Sequence, residues 1–235
     1  MSGNGIAELI ANGQLRTVFH PVVELRSLQV IGYEALSRFP DHGARPPSEW
    51  FAEAAATGMR EQLEVAAIST AVRSAEPLPT DTFLALNCSP STATNVDLAS
   101  LVAPVPLARL VLDIAEDAAV AEFPEVGDLI EGLRKQGVRI ALDDTGAGFV
   151  SLRHMVGVRP DFIKIGLEIT RNVDTEVTNQ AFASALCAFG ERMGASTIAE
   201  GIETEPELAM LASLGVAAGQ GYLFGVPQPA EAFAV

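Results

Sequence analysis

At 235 residues the chain is long enough for one large domain with a full core, and 49 % hydrophobic content with only 6 % aromatics means that Ala, Val, Leu and Ile fill it. Thirty acids against 15 bases give a net charge of −15, which repels duplex nucleic acid and anionic membrane and excludes both as partners unless metal ions intervene. Two cysteines, Cys88 and Cys187, exclude a disulfide framework, and with no signal-peptide pattern and no apolar run of membrane-spanning length a soluble, cytoplasmic protein is expected.

In chain order, 5–14 reads as a short helix ended by Asn12-Gly13, and 17–25 and 30–37 read as paired strands joined by a turn at 26–29. A loop follows over 40–47. Ser48 is the expected cap of a helix that breaks at Gly58, and Trp50 and Phe51 are expected on its core face. A longer helix spans about 60–75. Strands then fall near 82–87, 109–113, 138–143, 161–165, 195–199 and 216–220, with helices near 124–136, 149–156, 172–193 and 204–214. Eight strand signals with helices between most of them indicate an α/β fold, a closed TIM-like (β/α)8 barrel spanning 1–235 as a single domain. An open doubly wound sheet is the alternative, but no glycine-rich nucleotide turn follows the first strand.

Several of the apolar runs stop at a carboxylate or a lysine. In a parallel barrel these stops converge on one face. They are Glu34, Asn87, Asp113, the pair Asp143-Asp144, Lys164, Glu200 and Gln220. So many acids beside one lysine work against stability and call for a divalent cation and an anionic ligand. Hard oxygen donors select Mg²⁺ or Mn²⁺ over zinc or copper. Asp143-Asp144 is placed to bridge two ions, and Lys164 to offset phosphoryl charge or orient the attacking water. Lys164 also admits a Schiff-base reading, which its acidic neighbours oppose because they hold it as an ammonium. Arg38 admits a plain surface role. His20, His154 and Cys187 read as structural.

The stretches His20-Pro21-Val22-Val23, Gly32-Tyr33-Glu34-Ala35-Leu36-Ser37-Arg38, Leu86-Asn87 and Leu112-Asp113-Ile114-Ala115-Glu116 are followed by Asp143-Asp144-Thr145-Gly146-Ala147-Gly148 and Asp161-Phe162-Ile163-Lys164-Ile165. Ala199-Glu200-Gly201-Ile202-Glu203-Thr204 and Gln220-Gly221-Tyr222-Leu223-Phe224 complete the set. In this order and spacing they resemble the EAL domain family, phosphodiesterases that open cyclic di-GMP to linear pGpG. The resemblance implies a barrel with an antiparallel first strand and metal ligation by Glu34, Asn87, Asp113, Asp143, Asp144 and Glu200. It implies catalytic work by Lys164 and Glu200, substrate binding by Arg38 and Gln220, outer support by Glu116 and Glu203, and a homodimer formed near the 143–148 loop.

Four positions depart from the family pattern. Asp113 stands where Glu is usual, and the shorter acid must still meet a Mg²⁺ shell of about 2.0–2.1 Å. Gly166 stands where the motif Lys-Ile-Asp places an acid, so neither a ligand nor a hydrogen bond to bound water comes from it. Thr145 replaces a loop Phe, and His20 a Gln expected to approach the nucleotide. Two outcomes stay open: an impaired phosphodiesterase, or a domain that binds cyclic di-GMP or a protein partner without cleaving.

Overall fold

The computed structural model describes residues 4–40, 45–115, 123–145 and 157–234; at 4, 115, 123–126, 129, 144 and 145 only the backbone is described. Helix α1 (Asn4–Ala11) leads into strands β1 (Arg16–Glu24) and β2 (Val30–Arg38), then helices α2 (Pro47–Ala56) and α3 (Arg60–Ser74). Strand β3 (Phe83–Asn87) follows, then two short helices, α4 (Pro90–Asn95) and α5 (Leu98–Leu101), and β4 (Leu110–Ala115). The remainder runs α6 (Phe123–Lys135), β5 (Arg139–Thr145), β6 (Phe162–Ile165), α7 (Leu167–Thr170), α8 (Val177–Met193), β7 (Ser196–Ala199), α9 (Glu205–Ser213) and β8 (Ala218–Gly219).

The eight strands close into a barrel in sequence order. β1 runs antiparallel to both its neighbours, β2 and β8, and every other neighbouring pair is parallel. The expected barrel with its reversed first strand is therefore the observed one.

Strand side chains alternate between the barrel lumen and the helix layer. Val22, Phe83, Ala85, Val111, Ala141, Phe162, Ile198 and Ala218 form one buried lumen cluster. A second, larger cluster, including Leu84, Leu112, Ile140, Ile163 and Leu186, packs strands against helices. Two residues beyond six of the lumen positions stand Asn87, Asp113, Asp143, Lys164, Glu200 and Gln220. The strand period thus carries every one of these polar groups to the same end of the same lumen. The opposite end is plugged: the Arg139 guanidinium lies 5.2 Å from the Phe83 ring and 5.4 Å from the Phe162 ring. Gly32 makes room there, since a Cβ would stand 2.3 Å from Phe83. With the plug fixed, lumen side chains have one open end.

Local differences from expectation have physical causes. Ser48 lies inside α2, which Pro46 and Pro47 start with no side-chain cap. α8 begins at Val177 rather than near 172, because Asn172 adopts a positive φ of 57° and the turn it makes closes on Glu176. α4 and α5 were not expected; Ser89 caps one by accepting from Thr92 N, and Asp97 the other by accepting from Ser100 N. α9 starts as expected, on a capping box between Thr204 and Glu207. The expected helix 149–156 and His154 lie outside the described residues. Among the described residues no helix is long and apolar enough to cross a membrane.

Candidate active site

Lys164 sits at the centre of the open lumen end, 3 % exposed. Its Nζ lies 2.7 Å from Glu200 Oε1, 3.0 Å from Asp143 Oδ1, 3.1 Å from Asp113 Oδ2 and 3.4 Å from Glu34 Oε1. Four carboxylates around one ammonium leave 4 − 1, a formal excess of three negative charges, when all are ionised. Gln220 Nε2 donates to Glu34 Oε2 at 2.6 Å and reaches Glu200 Oε1 at 3.4 Å, while Asn87 Nδ2 donates to Glu34 Oε1 at 3.2 Å.

Backbone ladders hold these groups in place. Asn87 and Asp113 are register partners across β3 and β4, and Cys88 N donates to Asp113 O at 3.0 Å. Beyond the strands, Glu200 N donates to Ile165 O at 2.9 Å and Gln220 N to Ala199 O at 2.8 Å. Side chains placed by three separate strand pairings keep their geometry without a ligand.

The excess charge shows in the titration of the acids. Burial pushes the Asp113 carboxyl up to about 7 despite the Lys164 ammonium, with Glu34 and Asp143 adding to the rise. Burial likewise pushes Glu200 up to about 8, again against Lys164. Burial works against ionised Glu34 too, but Lys164 and the hydrogen bonds from Gln220 and Asn87 outweigh it and hold that carboxyl below its usual range. Lys164 is held well above the ordinary lysine range: burial alone lowers it, and Asp113, Glu200, Glu34 and Asp143 together reverse that. It is a fixed ammonium, and the Schiff-base reading finds no support.

Two buried oxygens in this cluster, Asp113 Oδ1 and Gln220 Oε1, have no hydrogen-bond partner among the described residues. Unpaired buried acceptors are costly, and a cation relieves them. The donor set is all hard oxygen apart from Lys164, which suits a divalent cation of the Mg²⁺, Mn²⁺ or Ca²⁺ kind. Among the described residues no three acid, His or Cys side chains already stand at ligand spacing. Lys164 fills the centre instead, so holding an ion would require the carboxylates to turn from the ammonium toward it. By donor chemistry and by the orphaned oxygens, the site fits such an ion.

This arrangement has a pH signature in metal-free protein. Asp113 and Glu200 have folded-state values above their unfolded ones, so between about pH 4.5 and 8 the folded state binds more protons than the unfolded state. Stability therefore falls as pH rises through that window. In EDTA the melting temperature is expected to drop by about 6–10 °C between pH 5.5 and 8, on the order of 3 kcal/mol, with a shallower slope in Asp113→Asn. A flat or rising melting temperature over that range in the wild type contradicts the geometry.

A cavity of about 280 Å³ opens beside the cluster, lined in part by Arg38, Asn87, Asp113, Phe51, Glu64 and Ser89. Arg38 Nη1 donates to its neighbour's carbonyl, Ser37 O, at 3.0 Å. Glu64, which sequence reading passed over, is buried, accepts from Ser89 N and Oγ and from Arg60 Nε, and so ties α3 to the start of α4 beside Asn87. The Arg60–Glu64 spacing of four on a helix was its visible signal. His20 is buried, is the register partner of Glu34, and lies with Nε2 3.2 Å from Gly225 O. Glu203 lies at the edge, half exposed and 3.8 Å from Arg171 Nη2. Cys187 is half-buried on α8 against Thr197, and Trp50 and Phe51 pack on the cluster around Phe39. Glu116, the side chains of Asp144 and Thr145, and the loop from Gly146 onward lie outside the described residues.

The EAL domain family profile matches residues 4–227. The cyclic di-GMP phosphodiesterase NbdA of Pseudomonas aeruginosa is 29% identical over 242 residues, covering 97% of this chain and 30% of that protein. This chain spans about three-tenths of the length of the first curated relatives it matches, 28% to 30%. Among solved structures, the MucR phosphodiesterase of Pseudomonas aeruginosa in complex with cyclic di-GMP has a TM-score of 0.86 at 27% identity, with 97% of this chain and 98% of that one covered. Klebsiella pneumoniae BlrP1, in a manganese and cyclic di-GMP complex, has a TM-score of 0.83 at 28% identity over 92% of this chain and 56% of that one. With the family profile spanning nearly all of the barrel, this chain belongs to the EAL domain family.

Proposed function

We propose that this barrel, as a single domain over 1–235, binds cyclic di-GMP at the open lumen end and hydrolyses it slowly to linear pGpG. The observation that carries the reading is the cluster around Lys164, with its excess negative charge and two orphaned oxygens. Relatives and neighbours in the family carry the same ligand in their names, which supports the choice of substrate. Glu34, Asn87, Asp113, Asp143, Asp144 and Glu200 would hold one or two Mg²⁺ or Mn²⁺ ions. Such ions supply Lewis acidity at the phosphoryl group and a more acidic water.

The chain's own groups do the rest. Arg38 holds a ring phosphate, a task for which a planar guanidinium is suited. Gln220 and Asn87 fix the orientation of Glu34. Lys164 keeps its proton and lies where negative charge builds on the phosphoryl oxygens. Water attacks phosphorus in line, a new P–O bond forms, the P–O3′ bond breaks, O3′ leaves as a hydroxyl with a proton taken from solvent, and the ring opens with a 5′-phosphate on one end. Glu200, in its ionised form, accepts the proton of the attacking water.

Slowness follows from Asp113 and Gly166. A second reading, a sensor that binds without cleaving, rests on Gly166 alone, which brings no oxygen to the cluster. The two separate in one assay: purified protein, Mn²⁺ and cyclic di-GMP, with product followed by chromatography. The phosphodiesterase reading expects pGpG above a Glu34→Ala control, whose turnover is lower by at least about 100-fold. Binding without product leaves the sensor.

A further inference from the structure

The site just described is acidic, yet next to it stands a basic cleft of which the proposed reaction uses only Arg38. The cleft holds about 810 Å³, and Arg16, Arg38 and Arg45 all line it, with Thr17, Phe39 and Pro229 among the other walls. Among the described residues no carboxylate lines it. In a chain with twice as many acids as bases, three arginines converge here, and of the three only Arg45 pairs with described carboxylates, Glu49 and Glu53.

Strand pairing makes the arrangement costlier still. Arg16 and Arg38 are direct register partners across β1 and β2, so their side chains leave the same face side by side. Like charges directly opposite each other destabilise a sheet. Among the described residues no carboxylate pairs with either one. Arg45 differs: Glu53 Oε2 holds its Nη2 at 2.9 Å, and the guanidinium lies 4.2 Å from the Trp50 ring centroid. It is a pre-oriented donor, while Arg16 and Arg38 are two uncompensated charges. An arrangement like this is relieved by an anion of charge two placed between the guanidinium groups.

Position limits what the anion belongs to. Arg38, Thr17 and Pro47 line both this cleft and the cavity beside the Lys164 cluster, so the two spaces adjoin at these residues. A ligand seated in that cavity can extend one group into the cleft. Cyclic di-GMP has none to extend, because both its phosphates are diesters inside the ring. A linear nucleotide ends in a phosphate monoester, a dianion near neutral pH.

We propose that the Arg16–Arg38–Arg45 cleft is a second anion site that takes the terminal phosphate monoester of a linear nucleotide. The identity of the neighbouring ligand rests on the proposed function; the phosphate preference does not. The site gives the domain a hold on linear, 5′-phosphorylated dinucleotide that it lacks for the same dinucleotide without the phosphate. Competition by linear nucleotide against the cyclic one follows from it.

The test is a calorimetric titration in EDTA of pGpG and of GpG, which differ only in the monoester, into wild type and Arg16→Ala. Wild type is expected to bind pGpG at least about tenfold more tightly than GpG, the scale of one or two charge-assisted hydrogen bonds in a half-open cleft. That gain shrinks as salt rises, since the arginines are not deeply buried. In Arg16→Ala the ratio is expected to fall to about two or less, by loss of one of the two unpaired charges, while Arg16→Lys keeps most of it. Equal binding of pGpG and GpG to the wild type, or a ratio untouched by both Arg16→Ala and Arg45→Ala, overturns the site. Inorganic phosphate competing as well as pGpG overturns the nucleotide assignment. A parallel titration with cyclic di-GMP separates the two readings. Cyclic binding with no monoester gain removes the cleft and keeps the proposed function; a monoester gain with neither cyclic binding nor cleavage does the reverse.

Discussion

Replacing Lys164 by Met is expected to destabilise the metal-free domain by about 3–5 kcal/mol at pH 8, the penalty for leaving buried acids without their counter-ion. The reason lies in the four contacts from Nζ to Glu34, Asp113, Asp143 and Glu200, all within 3.4 Å. Without metal, this ammonium alone compensates them among the described residues. The loss is expected to shrink at pH 5.5, where Asp113 and Glu200 take up protons instead. It is expected to shrink also with Mn²⁺, which fills the same charge deficit. Turnover nonetheless falls by at least about 100-fold, because a positive group at the reacting phosphoryl is gone. Melting curves in EDTA and in Mn²⁺, at both pH values, measure the first part, and product chromatography the second. A Lys164→Met protein as stable as wild type in EDTA at pH 8 contradicts the assigned charge balance.

Restoring the family residues at two positions is expected to raise turnover. Gly166→Asp with Asp113→Glu should gain about 10–100-fold over wild type, with most of the gain from Gly166→Asp, since an added outer oxygen is worth that much at metal sites. The backbone permits it: Gly166 has φ −63° and ψ 162°, an extended conformation open to any residue. A Cβ there meets only Glu168 Oε2, at 3.1 Å, the far end of a flexible side chain. The extra methylene of Asp113→Glu has room as well, since Asp113 lines the 280 Å³ cavity. Steric exclusion therefore cannot explain a failure. If the doubly substituted protein, folded by its melting curve, cleaves no faster than wild type, Gly166 and Asp113 are not the seat of the impairment.

The barrel was legible because its strands announce themselves twice. Runs such as Leu110–Ala115 and Phe162–Ile165 are apolar but for one polar group toward the carboxyl end, Asp113 or Lys164, that the strand period aims into the lumen. The cluster around Lys164 was legible for the same reason, since residues two apart on a strand share a face. What stayed hidden depends on local backbone or on register. α4 and α5 are six and four residues long, too short to show helical periodicity, although the caps Ser89 and Asp97 were present. The start of α8 is set by the left-handed turn at Asn172, which no spacing reveals. The arginine cleft was missed because the pairing of Arg16 with Arg38 is displaced by a register shift between Val22 and Val23. The central position of Lys164, a cation where ligands for a cation were expected, is a property of three dimensions alone.

One titration bears most directly on the claim that this lumen end is a single site for a divalent cation and a cyclic dinucleotide. Cyclic di-GMP is added by calorimetry to wild type and to Glu34→Ala, each in Ca²⁺ and in EDTA. The account expects saturable binding in wild type that strengthens with Ca²⁺, and binding at least about tenfold weaker in Glu34→Ala with no response to the ion. No heat at high micromolar ligand in either condition, or identical curves for the two proteins, contradicts it.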